Sequence, residues 1–85
     1  MFPLGRVVMT ATAQSVLSQE SVQAAIARHA QGDWGDVCKE DRGLNDQALK
    51  DGSRLLSVYQ DGTKKFWIIT EADRSATTIL LPEEY

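Results

Sequence analysis

The chain is poor in the residues that carry most of the chemistry of small proteins. It has one cysteine, Cys38, and one histidine, His29, in 85 residues. A lone thiol excludes an internal disulfide and any multi-cysteine zinc site, and it suits a reducing compartment. No apolar run approaches the roughly 20 residues that span a bilayer. The opening Met-Phe-Pro-Leu-Gly-Arg lacks a basic stretch followed by a long apolar one. No signal peptide is therefore expected, and the protein is expected to be cytoplasmic. Positive charge is also scarce: 9 Lys+Arg stand against 12 Asp+Glu, for a net charge of −3. That balance argues against direct nucleic-acid binding, which calls for a basic face. Lys64-Lys65 reads as a solvated strand end beside a turn. Neither GxxxxGK[ST] nor GxGxxG occurs, and there is no HExxH pair or EF-hand loop. No cofactor and no metal are expected, and there is no repeat, linker or low-complexity tract.

What is present fits a folded domain. Hydrophobic residues make up 42% and charged residues 25%, the balance of a globular chain. Eighty-five residues suffice for one core, so residues 1–85 are read as a single domain. A domain this short buries about 60% of its unfolded surface, a marginal share that a partner could supplement.

The pattern predicts an α+β fold. Leu4 to Met9 can form a short strand, with Pro3 at its edge. Thr10 or Thr12 can cap a short helix through Leu17, and Ser21 a second one with Val22, Ala25, Ile26 and His29 on its inner side. Gly32 is its natural stop. Asp33-Trp-Gly-Asp36 is a turn. Asp36 or Asp41 can cap a third helix that ends at Gly52 and turns Leu44, Ala48 and Leu49 inward, although Gly43 weakens it by about 1 kcal/mol. Residues 54–60, 64–71 and 76–81 read as strands, the first two joined by an Asp61-Gly62 hairpin. Short links make them an antiparallel meander, and the middle strand, apolar on both faces, should be central. The expected architecture is two or three helices on one face of a small antiparallel sheet.

The most distinctive segment is His29-Ala-Gln-Gly-Asp-Trp-Gly-Asp36. His29, Asp33, Asp36, Glu40 and Asp41 could serve as ligands or as acid and base, but their spacing matches no metal motif. The alternative is structural: Asp33 and Asp36 tighten the turn, and the His29 charge suits a helix C-terminus. Trp34 is either a lid on the core or an exposed anchor for a partner. With Asp33, Asp36, Glu40 and Asp41 it would make an acidic contact surface. The acids fit a solvated helix face as well, since Lys39, Arg42 and Lys50 are interleaved with them. Glu71, Asp73, Arg74 and Ser75 form a second cluster. There Arg74 could orient an anion, or the turn could simply be held by Asp73 with Arg74 paired to a carboxylate. Ser75 as nucleophile would need His29 as its base. Cys38 reads as a partly buried thiol.

Several of these residues recur in one known pattern. His29…Gly32-Asp-Trp-Gly-Asp36, Glu40-Asp41, Asn45-Asp46, Arg54-Leu-Leu-Ser57, Trp67-Ile-Ile-Thr-Glu-Ala-Asp-Arg-Ser75 and Leu80-Leu-Pro-Glu-Glu-Tyr85 resemble a family of short plasmid-related and integrative-element proteins of unknown function. The resemblance covers residues 29–85 and the Pro-Leu-Gly opening, and is slight over residues 10–28. Some members carry a label of type I restriction modification subunit. A methyltransferase, however, requires a cofactor-binding α/β domain and a target-base motif that this chain does not contain. The resemblance implies a setting, bacterial mobile elements, rather than a reaction.

Two functions follow as expectations. The first is a small accessory protein that binds a host or element protein, as a monomer or a homodimer. The second is a small hydrolase or nuclease-like enzyme using His29 with Asp33 or Asp36, and Arg74 to hold an anionic substrate. The enzyme requires His29, Asp36, Glu71 and Arg74 to converge on one cleft. The binding protein requires an exposed Trp34 and no pocket at His29.

Overall fold

A computed structural model describes residues 2–85. The chain runs β1 (Arg6–Met9), α1 (Ala11–Val16), α2 (Gln19–Ala30), α3 (Lys39–Asp51), β2 (Leu55–Asp61), β3 (Lys64–Thr70), β4 (Ala76–Leu80) and a final 3-10 turn (Pro82–Glu84). The fold is α+β, and the three C-terminal strands form the expected meander. The sheet order is β1-β4-β3-β2, and β1 joins β4 in parallel. The sheet is thus mixed rather than purely antiparallel. Three helices between β1 and the meander return the chain to the same end of the sheet, which makes β1 parallel to its neighbour.

Alternation decides the layers. Leu55, Ser57 and Tyr59 pair with Thr70, Ile68 and Phe66, and all six are buried on the helix-covered face. Val22 and Ala25 of α2 meet Phe66, Ile68 and Ile79 there, with Ala13 and Leu17 beside them. Leu56, Val58, Trp67, Ile69, Thr78 and Leu80 point to the opposite face.

Helix ends follow capping chemistry, with shifts from expectation. Thr10 caps α1 by accepting from the Ala13 N–H. Ser18, not Ser21, caps α2. Asp61 explains the shift: it is the last residue of β2, and its carboxylate accepts from the Ser18 N–H at 2.6 Å and the Ser21 hydroxyl at 2.9 Å. The hairpin loop is therefore Gly62-Thr63, with Gly62 at φ 64°, as a turn with positive φ at its first position requires. Cys38, an exposed thiol, sits at the N-cap of α3 in place of Asp36 or Asp41.

α3 turns a different stripe inward than apolarity alone suggested. Leu44 is 67% exposed and Leu49 is also exposed, while Ala48 and Asn45 are buried. The reason is the free edge of β2. The Asn45 amide donates to the Leu56 carbonyl at 2.6 Å and accepts from the Leu56 N–H at 3.0 Å, taking both outward groups of one strand residue. Asn45→Ala would leave that pair unmatched. We expect a loss of about 2 kcal/mol in urea unfolding, together with a greater tendency to aggregate through the uncovered edge.

Candidate functional site

The segment from Arg28 to Asp36 lies along the same edge of β2. Arg28 pairs with Asp33 (Nε to Oδ2 2.7 Å, Nη2 to Oδ1 3.2 Å) and lies over the Tyr59 ring. That ion pair holds the Asp33 carboxyl below its ordinary range. The Tyr59 hydroxyl donates to the Asp33 carbonyl, and burial pushes its pKa up to about 12. The Val58 N–H donates to the Trp34 carbonyl at 3.1 Å, and the Asp36 N–H donates to the Val58 carbonyl at 2.7 Å. Gly35 can sit there because it has no side chain: at φ 72°, a Cβ would fall 2.0 Å from the Val58 oxygen. The segment acts as a short fifth strand.

His29 is 0% exposed. Its Nδ1 lies 2.5 Å from the Ser57 hydroxyl and its Nε2 2.8 Å from that of Thr70. Thr70 is 2.8 Å from the Thr77 hydroxyl, which donates to the Leu4 carbonyl at 2.7 Å. The far end of this chain fixes every proton in it. A carbonyl only accepts, so Thr77 spends its hydrogen on Leu4 and accepts from Thr70. Thr70 then accepts from His29, so the proton is on Nε2, and Nδ1 accepts from Ser57. The imidazole is neutral. Burial, with the nearby Arg74 charge adding to it, pulls its pKa down to about 4.

Aromatic rings close the site. Phe2 and Trp34 meet the His29 ring edge to face, with centroids 5.2 and 5.7 Å away. Trp34 is 3% exposed, and its indole N–H donates to Asp46. It is a core lid and not the exposed partner anchor that was one of its two expected roles. His29 likewise carries no charge toward the α2 dipole and meets no solvent, so no substrate reaches it as the fold stands.

Arg74 has a structural assignment as well. It lies at φ 61° in the turn after β3. Its guanidinium donates to the carbonyls of Ser53, Glu71, Ala72 and Ala48, fastening that turn to the end of α3. It pairs with carbonyls rather than with the expected carboxylate and has little left for an anion. Asp73 holds the turn by accepting from the Ser75 N–H. Arg74 stands over the Phe2 ring at 5.8 Å, and the same ring makes a T-shaped contact with His29. The Glu71 carboxylate instead faces Arg54, at 3.8 Å.

Asp36 and Glu40 are exposed and Asp41 is half-buried. A shallow groove of about 310 Å³ is lined by Gly32, Asp33, Trp34, Gly35, Arg42 and Asp46, and His29 does not reach it. Among the described residues, no three His, Cys, Asp or Glu side chains come together as a metal site. The residues that make His29 what it is, Ser57, Thr70 and Thr77, were missed from sequence. Their signal was present: each is a small hydroxyl residue at a core position of a strand that otherwise alternates apolar.

Neither known protein families, nor curated proteins, nor solved structures give a match to this chain. Function must therefore be argued from the surfaces. No helix among the described residues is long and apolar enough to cross a membrane.

The second face of the sheet is the one the helices cover less. The helices pack on the first face and around the β2 edge. Leu56, Val58 and Trp67 remain half-buried while Ile69 and Leu80 are buried; the C-terminal turn reaches over, with Tyr85 against Trp67 at 5.3 Å, and Val58 packs against the Trp34–Val37 cluster. Arg54, Leu56, Trp67, Ile69 and Tyr85 border an apolar hollow of about 230 Å³. By strand parity Arg6, Arg54 and Lys65 rim this face together with Glu71, while Glu83 and Glu84 belong to the turn at its border.

Proposed function

We propose that this protein is a small accessory module of bacterial mobile elements that binds another protein through the second face of its sheet. The mobile-element setting rests on the resemblance of residues 29–85 to plasmid-related proteins. The observation that carries the binding role is the apolar face around Leu56, Trp67 and Tyr85 with its basic rim, on a chain whose net charge is −3. An exposed aromatic set in an apolar hollow is the usual anatomy of a binding hot spot. The rim selects the partner: an amphipathic segment with an apolar stripe and acidic flanks. The acids Asp33, Asp36, Glu40 and Asp41 then serve as solvated surface and turn fasteners.

A synthetic helix with a leucine stripe and glutamate flanks is a direct probe. Titrated into the isotope-labelled protein, it should shift the amides of Leu56, Val58, Trp67 and Ile69. Binding should weaken several-fold as salt rises past physiological strength, and a lysine-flanked version should bind less. Shifts confined to residues 33–41, or no preference between the two helices, would contradict this reading. The hydrolase alternative gains no support from geometry, because the histidine is sealed and the Arg74 guanidinium is taken up by backbone carbonyls.

A further inference from the structure

The two edges of the sheet are treated differently. The β2 edge is covered by Asn45 and by residues 34–36. Among the described residues, β1 has no such cover. Its residues Arg6 and Val8 bond inward to β4, so the N–H and C=O groups of Val7 and Met9 point outward. Val7 is 43% exposed and Val8 39%. No proline, lysine or bulge interrupts the strand Arg-Val-Val-Met, although such devices are the usual protection of an open edge.

We propose that β1 pairs with β1 of a second copy of this chain, antiparallel about a twofold axis at Val8. This inference rests on the strand edge and not on the binding role assigned to the second face, with which it shares Arg6. The register follows from which groups are free. Antiparallel partners exchange two bonds at every other pair. Placing Val8 opposite the partner copy's Val8 makes each Val7 face a Met9 of the other copy, so every outward group of both residues is used. All the side chains so paired are apolar.

The ends of the ladder supply charge complementarity. In this register Arg6 lies opposite Thr10 of the other copy. The Thr10 hydroxyl donates to Glu84 at 2.7 Å, so a carboxylate waits where Arg6 arrives. Arg6 makes no ion pair or side-chain hydrogen bond among the described residues of its own chain. The twofold axis repeats the Arg6–Glu84 contact at both ends. It also keeps the two arginines roughly 13 Å apart along the strands, beyond the screening length of about 8 Å at physiological salt. A foreign strand could satisfy the backbone equally well, but the second copy brings both the apolar ladder and the carboxylate.

Sedimentation equilibrium of the full chain, with hydrogen exchange by NMR, tests this. We expect a dimer with a dissociation constant near or below about 100 µM at physiological salt, a value in the range of transient interfaces. Val8→Lys should weaken it at least tenfold, because it sets like charges directly opposite each other. Arg6→Glu should weaken it as well, through Glu84. Exchange at Val7 and Met9 should slow as concentration rises, whereas Val8 should be protected at every concentration. A wild-type chain that stays monomeric at about 500 µM would overturn the proposal. So would a dimer that is indifferent to Val8→Lys while its circular dichroism is unchanged, or Val7 and Met9 amides that exchange independently of concentration.

Discussion

His29→Ala is expected to remove about 4 kcal/mol of stability, a loss most chains of this size cannot absorb. Two costs combine. The imidazole leaves a hole beneath Phe2 and Trp34, and the hydroxyls of Ser57 and Thr70 lose their partner inside the core. Urea or thermal unfolding followed by circular dichroism measures this directly. The melting temperature should fall by roughly 20 °C, at 4–8 °C per kcal/mol.

The same residue makes stability depend on pH, with a definite sign. In the unfolded chain His29 takes its proton near the ordinary value of 6.5, but in the fold only at about 4. Between those values the unfolded state binds more protons, so acid favours unfolding. Stability from this group is fully present above pH 6.5, falls as pH drops toward 4, and levels off below. The span is worth about 3 kcal/mol. Chains lacking His29 should lose this slope and keep only the steeper acid limb that carboxylates such as Asp33 and Asp61, held low by their hydrogen bonds, contribute at lower pH.

Gly35→Ala has the second-largest expected effect, a loss of about 3 kcal/mol or more. The position combines a left-handed φ of 72° with backbone contact: the new Cβ would meet the Val58 carbonyl at 2.0 Å and the Tyr59 ring at 2.8 Å. Neither carbonyl nor ring can yield without parting residues 34–36 from β2, and strain at such a backbone is itself costly. Gly32→Ala is the informative control. Its φ is 84°, but its nearest neighbour is the Trp34 ring at an ordinary 3.8 Å. It should cost only the backbone strain, about 1 kcal/mol. Comparing the two variants by unfolding separates conformational strain from the close approach.

The meander was legible from sequence because β-branched and aromatic runs with a hairpin signal are local information. So was the inner stripe Val22, Ala25, His29 of α2. The pairing of β1 with β4 was not, since it depends on where three intervening helices deposit the chain. α3 misled for a related reason. Its leucines look like core, yet the strand edge it covers needs the amide of Asn45 more than it needs Leu44. The segment around Trp34 stands out in the sequence, but a composition of His, Asp, Trp and Gly serves a site and a fastening equally well. What separates them is burial, and burial depends on Ser57, Thr70 and Thr77, which lie far along the chain.

The central claim is that His29 is a neutral, sealed member of a directed hydrogen-bond chain that ends on Leu4. Nitrogen-15 NMR of the imidazole across a pH titration tests it most directly. The account predicts the Nε2-protonated tautomer, slow solvent exchange of that proton, and no protonation until about pH 4. A ring that titrates near 6.5, with both tautomers in rapid exchange, would show a solvent-reachable histidine and contradict the account.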